Sequence, residues 1–205
     1  MVTGTRERLL DAAERLVAQH GLAGATQRRI AEAAGQANNS AVGYHIGDRG
    51  DVVRAVLARH FEPMDRRRRE MRERAGADDL RHHVECLVRP LTEHLDEIGV
   101  PSWYARFAAH VIADPTLREH LLWQAGSSEV MRDVLAAVAA ASPAGVSASA
   151  MAIRGEMALY AIVHTCAERE RALAVGCSPH PPSWAAVGDA LVDATTGMLL
   201  APGGA

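Results

Sequence analysis

The chain has no lysine: all 22 of its basic residues are arginine. A GC-rich coding sequence accounts for that without invoking a function. Aromatic residues are scarce at 4%, while 48% of the chain is hydrophobic, so the core has to be built from Ala, Leu and Val. That mixture favours helices, and no alternation of apolar and polar residues is long enough to make a convincing strand. The three cysteines, Cys86, Cys166 and Cys177, are odd in number and far apart. This excludes a disulfide framework or a CxxC site and fits a reducing cytoplasm. The N-terminus carries charges inside its apolar stretch, which excludes a signal peptide. No uncharged run is long enough to span a membrane. GxSxG, HExxH, P-loop and dinucleotide fingerprints are all missing, so neither an enzyme nor a cofactor is expected.

What is present is helical patterning over 205 residues, enough for one large or two small domains. Charge is unevenly spread. Residues 1–60 hold 8 Arg against 6 acids, and the remainder 14 Arg against 19 acids. A mildly basic front on an acidic body is the asymmetry expected if only one end meets phosphate. Helix 1 is expected from a Thr5 cap to Gly21, and helix 2 from Thr26. After a left-handed turn at Gly35, helix 3 should start from Asn38 or Asn39 and run to about His45. Asp48 and Asp51 are placed to form a capping box for helix 4, which Pro63 should kink or end. Further helices are expected around residues 80–95, 101–113, 115–141, 147–174 and 183–200. The expectation is an all-α chain of about nine helices, with residues 1–50 as a helix-turn-helix head and 51–205 as a helical ligand-binding and dimerisation domain.

Residues 26–46 have the surface a helix-turn-helix needs, with one helix crossing the DNA backbone and the next lying in the major groove. Thr26, Gln27 and Arg28 open helix 2, where free N–H groups and positive charge suit phosphate. Asn38, Asn39 and Ser40 open helix 3 with donors and acceptors short enough to reach base edges. Ala41 and Gly43 keep that helix thin, and Val42 should face inward. Tyr44, His45 and Arg49 are placed to reach phosphates.

The segments TRERLLDAAERLVAQHG, ATQRRIAEAAG and YHIGDR together resemble the TetR (tetracycline repressor) family of transcriptional regulators. The resemblance is specific over roughly residues 5–58. Beyond that, helix count, helix order and the LVDATTGMLLAP ending are similar. It implies a dimeric, all-helical regulator, usually a repressor, that binds double-stranded DNA at a palindrome-like operator and leaves it when a small molecule enters the C-terminal domain. The chain departs from the family pattern in three ways: Gly43 replaces a tyrosine, Ile46 replaces a phenylalanine, and the interval from Gly35 to Tyr44 is one residue longer.

In the C-terminal part, the stretch from Met157 to His164 is apolar nearly all round. The last helix carries Trp184, Val187, Leu191, Val192, Met198 and Leu199. Two such helices can pair with their copies across a two-fold axis. An apolar pocket with a few polar groups is expected from Trp103, Tyr104, Phe107, His110, Trp123, Met157, Tyr160 and His164. His82 and Cys86, one turn apart, are metal-ligand types, but no metal site is expected. The alternatives are a helical metal-binding or enzyme-like protein, or a protein-binding adaptor.

Overall fold

A computed structural model describes residues 4–38, 40–74, 79–141, 143, 145–177 and 183–202. They form ten helices and no strand: α1 (Thr5–Gly24), α2 (Gln27–Ala33), α3 (Ala41–His45), α4 (Arg49–Glu73), α5 (Leu80–Ile98), α6 (Tyr104–Ala113), α7 (Pro115–Ser127), α8 (Glu129–Ala140), α9 (Ala148–Ala174) and α10 (Trp184–Leu200).

Short polar side chains set most of the helix starts. The Thr26 hydroxyl accepts the Arg29 N–H at 3.3 Å. Asp48 and Asp51 close a reciprocal capping box at 2.8 and 2.9 Å, which satisfies two N–H groups that would otherwise be orphaned. Thr5 does not cap α1: Gly4 holds that position and makes no side-chain bond. Gly21 is left-handed (φ 68°) and breaks the regular helix there, as the sequence pattern implies. Ser40 takes the start of α3, and Asn38 supports it by accepting the Ser40 N–H at 2.9 Å. Asn39 lies outside the described residues.

At Pro63, where a kink or an end is expected, α4 does not end but continues to Glu73. Losing one N–H in mid-helix is tolerated there because His60, Met64 and Arg68 are all buried along the same face. The helix expected over residues 115–141 is two helices. Ser128 adopts an extended backbone (ψ 126°), and its hydroxyl accepts the Met131 N–H at 3.1 Å, starting α8. The same hydroxyl donates to Asp65 of α4 at 2.7 Å, which fixes the corner against the body.

One apolar cluster gathers Leu9, Ala13, Leu16, Ile30, Ala41, Val42 and Val52, from α1 to α3 and the start of α4. A larger one takes in Leu10 and Val17 of α1 with residues of α4 through α10. Helix α1 therefore serves both. Trp103 cannot cap α6, and a tertiary contact replaces the cap. Glu170 of α9 accepts the N–H groups of Ala105 (3.2 Å) and Arg106 (3.0 Å) and the Arg106 Nε (3.0 Å). Both partners of that ion pair are buried, so it locks α6 to α9.

Candidate functional site

Small buried residues hold α3 in place and leave its outer face open. Ala41 and Val42 are 6% and 0% exposed, while Tyr44 is 85% exposed. Thr26, Gln27, Arg28, Asn38, Ser40, Gly43, Tyr44, His45 and Arg49 all sit at the surface, on or beside α2, α3 and the start of α4. Gln27 donates to the Gly47 carbonyl at 3.3 Å, tying α2 to the end of α3. Arg28 pairs with Glu32 at 3.0 Å. The rings of Tyr44 and His45 meet edge to face, 4.9 Å apart. The outcome is a thin polar ridge on a three-helix support.

Behind this head, α1, α4, α5 and α6 meet at a buried polar chain that the sequence reading missed. Arg59 bonds Glu14 and reaches Asp11 at 2.6 Å. His60 Nε2 lies 3.0 Å from Glu14, and His60 Nδ1 lies 2.8 Å from His94 Nε2. Tyr104 stacks on His60 with centroids 4.0 Å apart. Burial alone would raise the Glu14 carboxyl, but His60 and Arg59 outweigh it and hold Glu14 below its usual range. An ionised Glu14 takes its hydrogen bond from His60 Nε2–H. Where His60 is neutral, its Nδ1 accepts from His94 Nε2–H and leaves His94 Nδ1 without a proton; among the described residues that buried atom has no hydrogen-bond partner. Burial, with the nearby His60 and Arg67, pushes His94 down to about 4. Burial also raises the Tyr104 hydroxyl. A sequence signal did exist: Glu14 interrupts the apolar spacing of Leu10 and Val17, and His60 that of Val56 and Met64.

The body contains a cavity of about 470 Å³. Its wall takes Leu57, Phe61 and Met64 from α4, Leu87 and Leu91 from α5, and further apolar groups from α6 to α10. Polar groups are few. Arg68 is closed off by Asp65 (2.9 Å) and the Cys86 carbonyl (3.0 Å). Arg118 of α7 pairs with Glu156 of α9 at 2.9 Å and donates to the Tyr160 hydroxyl at 2.8 Å. Of the eight expected pocket residues, Tyr104 and Tyr160 line this cavity. Trp103 lines a separate recess beside Arg59 and His60. Phe107 is fully buried under the α1–α2 turn, and His110 packs by Gly21. Trp123 and Met157 are 65% and 53% exposed, and His164 is an exposed ring stacked near Tyr160. Sequence reasoning passed over Arg118 because one arginine among many carries no signal until tertiary contacts place it. Cys86 Sγ and His82 Nε2 do approach, at 3.8 Å. Among the described residues no third ligand type joins them.

Residues 85–198 match the family model described as tetracyclin repressor-like, C-terminal domain. The chain belongs to the TetR family. Solved structures share the fold. The multidrug binding protein EbrR complexed with imidazole is 21% identical (TM-score 0.52), covering 97% of this chain and 92% of that one. EbrR complexed with malachite green is 18% identical (TM-score 0.53), covering 96% and 98%. The TetR family transcriptional regulator PfmR from Thermus thermophilus is 15% identical (TM-score 0.53), covering 99% and 100%. No curated protein matches this chain. The architecture is that of a TetR-family transcriptional regulator, and no described helix is long and apolar enough to cross a membrane.

In this TetR-family chain most large apolar residues of α10 face inward, Leu200 at its end being half exposed. Trp184, Val187, Leu191, Val192 and Leu199 are buried in the large cluster. The exposed side of α10 carries Ala190, Ala194 and Gly197, and that of α9 carries Ile153, Met157 and Ala161. Thus the Met157–His164 stretch of α9, apolar nearly all round, is covered on one side by the described residues and leaves Met157 and Ala161 exposed. Arg81 and Arg89 of α5 hold Asp193 and Asp189 at 2.7 and 2.9 Å, on the flank of α10.

Proposed function

We propose that this chain is a cytoplasmic, sequence-specific DNA-binding regulator. It acts as a homodimeric repressor that a small molecule releases from a palindrome-like operator. The observation that carries the reading is the α3 ridge: its inner residues are buried and its outer residues are free to enter a major groove. The wider family membership points the same way. Thr26, Gln27, Arg28, Tyr44, His45 and Arg49 act on phosphates, and Asn38, Asn39, Ser40 and the close-approach Gly43 act on bases. The copies pair through the exposed faces of α9 and α10, whose small residues allow close packing.

The effector occupies the body cavity, with Tyr104 and Tyr160 in its wall. Coupling runs through α4. That helix places Val52 in the head cluster and Leu57, Phe61 and Met64 in the cavity wall. At 1.5 Å per residue it is roughly 37 Å long. A molecule that shifts the cavity end of so stiff a rod moves the head at the other. EbrR, with the same fold, is a multidrug binding protein, which supports the assignment of the cavity to ligand.

The test is a fluorescence-anisotropy titration on DNA from the chain's own promoter region. Affinity should fall steeply with salt, and Arg28→Ala should weaken binding to all sequences while lowering the salt slope by about one. Ser40→Ala should instead reduce discrimination between operator and random DNA. Binding that neither variant alters would refute the assignment of the ridge.

A further inference from the structure

The cavity's few polar groups define what it can hold. Each charge in its wall has a partner. Arg68 is matched by Asp65, which also bonds Arg69 and the Ser128 hydroxyl. Glu156 is the one carboxylate among the described lining residues, and it is taken by Arg118. A lipophilic cation entering here would find no free carboxylate among the described lining residues, and a charge met by neither a counter-charge nor a hydrogen bond is strongly disfavoured in an apolar cavity.

A donor, by contrast, is available. The Tyr160 hydroxyl accepts from Arg118 Nη1 at 2.8 Å, so its own proton points elsewhere, and among the described residues nothing accepts it. Among the described residues both contacts of Arg118 run through Nη1, leaving further N–H groups on a fixed fork. The hydroxyl and the guanidinium thus form a small donor end on a cavity whose remaining walls are chiefly Leu, Ala, Val, Ile and Met.

We propose that the effector is a lipophilic molecule with an acceptor oxygen, a carboxylate or an ester carbonyl. Tyr160 and Arg118 receive that oxygen, the hydrocarbon body fills the cavity, and lipophilic cations are rejected. This rests on the reading of the cavity as the effector site and adds the chemistry of what enters.

The experiment uses one chain length with three head groups: dodecanoate, methyl dodecanoate and dodecylammonium, each below its micellar concentration. Calorimetric titration of the full-length protein should give one site per chain, with at least one acceptor-bearing probe about tenfold or more tighter than dodecylammonium, the scale of one well-formed hydrogen bond. Tyr160→Phe removes only the hydroxyl. It should weaken the acceptor probes about tenfold and leave dodecylammonium unchanged. If the natural head group is a carboxylate, dodecanoate outbinds the ester and Arg118→Gln affects it more. If it is a carbonyl, the two bind alike and Arg118→Gln affects both equally. Dodecylammonium binding as tightly as the others, or a Tyr160→Phe protein with unchanged preference, overturns the chemistry and leaves the effector cavity standing. Failure of all three probes, the uncharged ester included, overturns both.

Discussion

Lowering the pH from 7 to 5 should destabilise the fold through His94, because its ring is buried and its Nδ1 faces no partner among the described residues. The sign follows from linkage. His94 falls from 6.5 to about 4 on folding, so the folded state binds fewer protons between those values. The stability it contributes is complete above about 6.5 and is lost as pH falls toward 4. The full loss is roughly 3 kcal/mol, and about 2 kcal/mol of it is gone by pH 5. His94→Leu removes the titrating ring. It lowers stability at pH 7, since His60 Nδ1 loses its partner at 2.8 Å, at a cost of about 1–3 kcal/mol. It should also flatten the pH dependence. His110, lowered as well, titrates in both proteins and cancels in the comparison, whereas Glu14 is linked to His94 through His60 and shares part of the difference. Urea unfolding at pH 7 and pH 5, at equal protein concentration, should show the wild type losing about 2 kcal/mol more than the variant. Equal losses in the two proteins would mean that His94 is solvated or already charged, and the buried chain from Glu14 to His94 would have to be redrawn.

Glu170→Ala should be among the most damaging single changes, costing about 3–5 kcal/mol. It strips Arg106 of its counter-ion and leaves the first N–H groups of α6 without an acceptor; chemical denaturation measures the loss. Ala125→Phe, in the cavity wall but far in sequence from α2 and α3, should leave operator affinity intact and abolish release by dodecanoate. An anisotropy titration with and without that probe separates the two effects, and unimpaired release would place the effector elsewhere.

Local chemistry made much of the fold legible. Thr26, Asp48 and Asp51 act as caps because a cap involves residues two or three apart. Gly21 and Gly35 turn where their left-handed φ is needed. Local rules left the outcome open where tertiary contacts decide. Of the kink or end expected at Pro63, the end does not occur, because packing holds α4 on both sides of it. Ser128 breaks a long helix, and the weak helix formers Gly126 and Ser127 before it were the available signal. The ridge residues were readable as surface because small and amide side chains have little reason to be buried. The cavity was not readable, since its wall draws on seven helices, and aromatic residues such as Trp123 and Trp103 sit outside it. The family resemblance was most specific over residues 5–58, whereas the family model matches residues 85–198. The two stretches are complementary.

The most direct measurement of the DNA-reading claim is selection of bound fragments from the source genome, followed by footprinting of the purified protein. The account predicts enrichment of a few sites, each protected over two inverted half-sites with centres about 34–36 Å apart or a multiple of that. Their affinities should be about a thousandfold or more above random DNA. Uniform recovery of fragments, with no protected repeat at low salt, would contradict it.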